Sequence, residues 1–369
     1  MKNIVNLGNV ATYINGYAFK PSDWAEDGTP IIRIQDLTGN SYQMNRFKGI
    51  VDSKYDVNSG DVLISWSASL GVYVWNRGNA VLNQHIFKVV FDKEEVDKDF
   101  FVFQIDNLLK RAANQAHGAT MRHLTKPVFD ALPFYLPDIK TQRLISSKLN
   151  LIVHLIEDHH EQLKKLDELI RSRFIEMFGH SDRPKVRLGE CCLINPKKSS
   201  DIRLVDNDLM VSFVSMSDVS EDGQIVTCNH KQYESVKSGF TYFSENDVLF
   251  AKITPCMENG KGGIAKGLLN GIGFGSTEFH VLRPIDQVSN SCWLYELTSF
   301  PQFRQAAEIN MTGSAGQRRV PASFLANYKV SLPPISLQNQ FADFVHQLDK
   351  SKYREAIFLY LLEDVLHML

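Results

Sequence analysis

The alternation of apolar and polar positions along this chain follows one programme twice. Residues 5–137 read as short strands broken by Gly, Asn and Asp. Residues 30–34, 61–65 and 85–90 have the β-branched content and the length of strands. Residues 99–116 predict a helix with Phe103, Leu108, Leu109 and Ala112 on its apolar face, ending near Gly118. In the second half the same reading predicts strands at 211–214, 247–251 and 279–282 and a single helix over 292–309, ahead of Gly313. The glycine-rich stretch 260–275 between them reads as a long loop.

After Pro137 the period changes. Leu149, Ile152, Ile156, His159, Leu163, Leu166 and Ile170 alternate spacings of three and four, the seam of a coiled coil, and Phe174 and Met177 continue it. Glu157, Glu161, Lys164, Lys165 and Glu168 fill the other faces. The helix should run from Lys140 to near Gly179, a length of about 57 Å at the α-helical rise. A second helix is expected from about Ser336 to the end of the chain, through Phe341, Val345, Leu348, Ala356, Leu359, Leu362 and Leu366, with its seam interrupted around Ser351-Lys352. Each stripe needs a surface to bury it, which favours an antiparallel pair of the two helices. His159, on the seam, reads as a packed, hydrogen-bonded histidine of the kind that sets register.

The landmarks repeat in order. Val5-Asn6-Leu7-Gly8 returns as Val186-Arg187-Leu188-Gly189, and Asp61-Val62-Leu63 as Asp247-Val248-Leu249. His85-Ile86-Phe87 returns as Glu278-Phe279-His280, and Leu136-Pro137-Asp138-Ile139 with Gln142 as Leu332-Pro333-Pro334-Ile335 with Gln338. The organisation this predicts is globular domain 1–138, long helix 139–179, globular domain 185–333 and C-terminal helix 334–369. The fold class is α+β: two duplicated globular domains separated by a pair of long antiparallel coiled-coil helices, pseudo-two-fold symmetric.

Composition constrains partners and compartment. The 369 residues are 44% hydrophobic and 22% charged, ordinary for a globular protein. No apolar run suits a bilayer span and no signal-peptide core opens the chain, so a cytoplasmic location is expected, without membrane contact. Five cysteines, an odd number with no CxxC pair, point to reduced thiols rather than a disulfide framework or a metal site. The formal net charge is −2, and Lys+Arg nearly balance Asp+Glu within each globular half. Neither domain therefore carries the basic excess of a strong, independent nucleic-acid binder.

Catalytic motifs are missing. No Asn/Asp-Pro-Pro-aromatic tetrapeptide and no Glu-x-Lys nuclease triplet occur. Gly271-Ile272-Gly273-Phe274-Gly275 lacks the dinucleotide fingerprint, and Asn259-Gly260-Lys261-Gly262 lacks the hydroxyl residue of a P-loop. Ser67-Ala68-Ser69-Leu70-Gly71 lacks the first glycine of a nucleophile elbow. His159 and His160, adjacent on a helix, point to different faces and cannot chelate one metal. The residues predict no catalytic site, no metal site and no cofactor.

Taken together, the paired Leu-Gly openings, the Asp-Val-Leu strands, the run from Asp247 through Glu258-Asn259-Gly260-Lys261, the stretch Ser276 to Pro284 and the Gly-to-Leu-Pro closures resemble the DNA-specificity subunit of Type I restriction–modification systems. The resemblance covers essentially the whole chain. It implies two target-recognition domains reading an asymmetric bipartite site in double-stranded DNA, held apart by the helix pair as a ruler. It also implies two methyltransferase subunits, which bring S-adenosylmethionine, and restriction/motor subunits in the full complex. The loop after each Asp-Val-Leu strand and the Gly-to-Pro basic segment are the expected DNA-contacting regions. In the first domain these contain Ser65, Trp66, Ser67, Arg77, Arg122, His123 and Lys126; in the second, Lys252, Thr254, Lys261, Gln317, Arg318 and Arg319. Arg and Gln suit base edges and Lys suits phosphate, while Trp66 reads as packing. Two other readings stay open from the residues: a stand-alone DNA-modifying or cleaving enzyme with an unrecognised site, and a duplicated coiled-coil scaffold that binds proteins.

Overall fold

The computed structural model describes residues 3–40, 43–115, 125–179, 183–198, 208–225, 229–314 and 316–368. The first half contains strands β1 (Ile4–Asn6), β2 (Thr12–Asn15), β3 (Thr29–Ile32), β4 (Arg46–Phe47), β5 (Asp56–Val57), β6 (Val62–Ser65), β7 (Gly71–Val74), β8 (Ala80–Leu82), β9 (Ile86–Val90) and β10 (Pro133–Tyr135). The second half contains β11 (Lys185–Arg187), β12 (Cys192–Ile194), β13 (Met210–Val214), β14 (Asn229–Gln232), β15 (Thr241–Ser244), β16 (Val248–Ala251), β17 (Gly262–Ile264), β18 (Ile272–Gly275), β19 (Phe279–Pro284) and β20 (Lys329–Ser331). Their pairings are identical. The first half builds sheets in the orders β1-β10, β2-β9-β6-β7 and β4-β3-β8-β5, and the second builds β11-β20, β12-β19-β16-β17 and β14-β13-β18-β15. Even the one parallel pairing recurs, β3 with β8 and β13 with β18. The α+β duplication predicted from the sequence is present strand for strand.

Strands β6 and β16 are buried on both faces, because successive side chains feed different cores. Val62 and Ile64 pack with Phe87, Phe101 and Phe134, while Leu63 joins Ile32, Val57 and Trp75. Likewise Val248 and Phe250 pack with Trp293 and Phe303, and Leu249 with Phe243 and Phe279. The aspartate that opens each strand closes the turn before it: Asp61 accepts from the Asn58 N–H at 2.9 Å and Asp247 from that of Ser244 at 2.7 Å. Asp247 is further held by both arms of the Arg283 guanidinium.

Seven helices matter for function: α1 (Lys98–Gln115), α2 (Lys126–Asp130), α3 (Ile139–Phe178), α4 (Ser291–Ser299), α5 (Pro301–Ile309), α6 (Ala322–Asn327) and α7 (Ile335–Met368). Two expectations need correction. The helix predicted over 292–309 is two helices, because Pro301 cannot donate to the preceding turn and instead starts a new one. The glycine-rich stretch predicted as loop contains β17 and β18. Its glycines are there for close approach: a Cβ on Gly273 would lie 2.0 Å from the Phe243 ring, and one on Gly275 2.2 Å from the Val214 carbonyl oxygen.

By its contacts the chain divides into two compact units, Met1–Asp158 with Tyr360–Leu369, and His159–Leu359. Helix α3 has 40 residues and α7 has 34. Every predicted seam residue of α3, from Leu149 and Ile152 through Ile156, His159, Leu163 and Leu166 to Ile170, is buried or half-buried, with exposed positions between them. Within the second unit the two helices run antiparallel. Phe174 and Phe178 pack on Phe341, Asp167 meets Lys352, and His159 meets Glu355.

The interruption expected near Ser351-Lys352 is a change of chemistry, and the heptad phase continues. Phe341, Val345, Leu348, Lys352, Glu355, Leu359, Leu362 and Leu366 keep the three–four spacing and are all shielded, whereas Ala356 is exposed. Lys352 donates to Asp167 at 2.6 Å, and Glu355 lies 2.5 Å from Nδ1 of His159. The expected hydrogen-bonded seam histidine is thus present, and its partner is a carboxylate on the other helix.

Candidate nucleic-acid interface

In each domain the register of the central sheet defines one place. Ser65 pairs with Ile86, and Ala251 with Phe279. One rung further, the Trp66 N–H donates to the His85 carbonyl at 3.4 Å and the Lys252 N–H to the Glu278 carbonyl at 2.9 Å. Trp66 and Lys252 are therefore equivalent, as are His85 and Glu278. The side chains there differ completely.

In the first domain the place is aromatic. The Trp66 ring stacks on Phe87 at 5.6 Å and lies 5.2 Å from the His85 ring, while its Nε1 donates to Asn15. Lys126, at the start of α2, sits 5.9 Å from the centre of the Phe87 ring and pairs with Asp130. Ser65 and Ser67 are buried, and the Ser65 hydroxyl donates to the Ser67 and Ser69 carbonyls, shaping the loop that carries Trp66. Arg77 is elsewhere. It follows the opposite end of the β6–β7 hairpin from Trp66, exposed, with its guanidinium 5.5 Å from the Trp75 ring. Arg122 and His123 lie outside the described residues.

In the second domain the place is charged. The loop after β16 and the Gly-to-Pro segment, separate in sequence, form one ladder: Thr254 N–H donates to the Arg318 carbonyl at 3.1 Å and Val320 N–H to the Lys252 carbonyl at 2.9 Å. Thr312 and Arg319 exchange backbone hydrogen bonds to close a hairpin whose tip carries Gln317, exposed, and Arg318. Gly313 and Gly316, both at positive φ, permit this tight return.

The basic side chains of that ladder are matched by carboxylates. Arg319 forks Glu278, with Nη2–Oε1 at 2.9 Å and Nε–Oε2 at 3.0 Å. Arg318 lies 3.7 Å from Glu258 and 3.8 Å from Glu308, and Thr254 donates its hydroxyl to Glu258. These pairs explain how a basic ladder sits in a domain with no basic excess. The Arg319 hydrogen bond holds the Glu278 carboxyl below the usual glutamate range. Burial pushes the Lys252 ammonium and the His280 imidazole down, and His280 donates from Nε2 to the Val320 carbonyl and accepts at Nδ1 from the Asn195 amide. The Lys261 ammonium is turned to the Met216 carbonyl, 3.2 Å away.

One buried cation organises the loop from below. Arg304 donates to the carbonyls of Thr298, Met257, Gly260 and Lys261, and its guanidinium lies 4.4 Å from the Phe250 ring. Burial lowers its pKa to about 10. Sequence reading missed this residue, since nothing local distinguishes it from a solvated helix arginine. It used His85 and Glu278 only as repeat landmarks.

Among the described residues no group of His, Cys, Asp and Glu could hold a metal ion, and Cys191, Cys192, Cys256 and Cys292 are free thiols. No described helix is long and apolar enough to cross a membrane.

Comparison with known proteins bears on the duplicated site. The family model described as the Type I restriction modification DNA specificity domain matches residues 2–168 and again residues 181–356. The chain belongs to that family. The first match contains β1–β10 and the second β11–β20, so each copy of the specificity domain is one copy of the strand set. Over 155 residues the chain is 41% identical to the specificity subunit of the Type I restriction enzyme EcoEI of Escherichia coli, a match covering 40% of this chain and 25% of that one. The EcoAI specificity subunit of E. coli is 42% identical over 149 residues, 40% of this chain and 24% of that one. The matches thus span about a quarter of the length of these curated relatives.

Among solved structures, a chain of a type I R-M system shares the fold with a TM-score of 0.59 at 16% identity, covering 99% of this chain and 95% of that one. The S subunit from M. genitalium does so with a TM-score of 0.52 at 12% identity, covering 100% and 94%.

Proposed function

We propose that this chain is the non-catalytic DNA-sequence-recognition subunit of a Type I assembly. Each specificity domain reads one half of an asymmetric bipartite target in double-stranded DNA, and the long helices set the spacer between the halves. Two methyltransferase subunits, carrying S-adenosylmethionine, perform the modification, and restriction/motor subunits join in the full complex. The observation that carries this reading is the pair of equivalent places, Trp66–His85 and Lys252–Glu278, on one backbone topology. One scaffold presenting two different surfaces suits two different half-sites. The carboxylate-paired arginines and the balanced charge suit a reader whose affinity is completed by partners.

Mapping of modified bases in cells with and without the chain tests the proposal. One split motif should be modified only when the chain and its methyltransferase partner are both present. Methylation or cleavage by the purified chain alone would favour the enzyme reading, and a reconstituted assembly with no preference among duplexes would favour the protein scaffold.

A further inference from the structure

We infer that His85 and Glu278 are the specificity-determining residues of the two domains, one for each half of the target. The inference rests on the recognition reading above and adds the atoms that do the reading.

His85 combines two local costs. Its backbone is in the left-handed region, φ 74°, where an imidazole-bearing residue is strained. Its Nδ1 is buried without a hydrogen-bond partner among the described residues. A fold that needed only packing here would place glycine or asparagine at such a φ and an apolar ring beside Trp66 and Phe87. The strained backbone instead holds the ring 5.2 Å from Trp66, at the end of the strand that carries Phe87.

Glu278 occupies the same rung of the second domain. Its carboxylate is fixed by the Arg319 fork and stands beside Lys252, and a quarter of the side chain remains exposed. A carboxylate has lone pairs beyond the two that one guanidinium fork takes. An acceptor beside an ammonium donor is complementary to a base edge that offers an exocyclic amine, as adenine and cytosine do in the major groove. The geometry points to such a base opposite Glu278. The place around His85 and Trp66 is aromatic instead, so the first half-site is read by different chemistry.

The test uses the full chain co-expressed with its methyltransferase partner, with the modified motif of wild-type cells read first. Absence of any chain-dependent motif there defeats the recognition reading itself. Given a wild-type motif, His85→Asn keeps a residue tolerant of the left-handed backbone and removes the ring, and Glu278→Gln keeps the shape and removes the charge. Each is expected to lower discrimination at one base by about tenfold or more, and the two must act on different halves of the motif. At the base affected by Glu278→Gln, the wild type should require adenine or cytosine on one strand.

An unchanged motif with either variant, or both variants altering the same half, overturns the inference. Should the Gln variant fail to assemble, Glu278→Asp retains a carboxylate for Arg319 and must still shift the preference. Failure of both to assemble assigns Glu278 a purely structural role and overturns its half of the inference.

Discussion

Gln142 and Gln338 make matching hydrogen-bond sets at equivalent points of the two halves. Gln142 accepts from the Asp97 N–H at 2.9 Å and donates to the carbonyls of Pro137 and Glu95. Gln338 accepts from the Asn290 N–H at 3.0 Å and donates to those of Pro333 and Val288. Both are essentially fully buried. The Leu-Pro-x-Ile repeat with its trailing glutamine is therefore a joint: it ties the start of each long helix to the segment preceding α1 or α4. Gln338→Leu would strand three backbone groups at once. The expected loss is about 2–4 kcal/mol for the second unit, with an equal effect of Gln142→Leu on the first, measured by denaturant unfolding.

Lys352 and Asp167 occupy a partly shielded stretch of the helix seam. Lys352→Ala should cost about 1–2 kcal/mol, between the values for exposed and buried pairs. Replacing both residues with Leu should restore that stability or exceed it. A double substitution no more stable than Lys352→Ala would mean that the pair itself holds the helices in register.

Glu296 lies on α4 and lines a cavity of about 710 Å³ within the second unit. Burial raises its pKa to about 7, against the opposing pull of Arg171 and Lys352. A carboxyl that binds its proton more tightly when folded loses stability as pH rises from its unfolded value, 4.5, to about 7. The wild type should therefore lose a component of thermal stability across that window. Glu296→Gln should flatten the profile there, and an unchanged slope would refute the assignment.

Arg304 satisfies four carbonyls with one guanidinium. Arg304→Met keeps much of the apolar stem but leaves those carbonyls unpaired, at about 2–4 kcal/mol. Limited proteolysis should then cut within residues 254–261 before any site in the first unit, and on the recognition reading proposed above modification of one half-site should fall selectively.

If the helices set the spacer, one heptad inserted into both α3 and α7 should lengthen it by about 10 Å, near three base pairs, with both half-sites unchanged. Base-modification mapping of the variant reads this directly. Altered half-sites would show that the helices also orient the readers.

Local pattern made much of the molecule readable. The seam from Leu149 to Ile170 follows from spacing alone, because a helix that must bury one stripe imposes a 3.5-residue period on its own sequence. The core strands at Val62 and Val248 and the duplication itself are legible for the same reason: a repeated strand order demands repeated apolar positions and turn residues. The helix boundary at Gly179 needed only a residue that stops a helix.

The tertiary structure decided what depends on residues distant in sequence. Gly273 and Gly275 belong to a strand because Phe243 and Val214 press against them, a fact absent from any window around position 273. Lys352 and Glu355 continue a seam that their polarity conceals, since their partners Asp167 and His159 lie on the other helix. The same holds at the interface. Chain composition revealed balanced charge, but only folding showed that Arg318 and Arg319 face Glu258, Glu308 and Glu278, and that His85 stands against Trp66 where Glu278 stands against Lys252. Periodicity is written by each element for itself, whereas pairing belongs to two segments jointly and acquires meaning only when the chain brings them together.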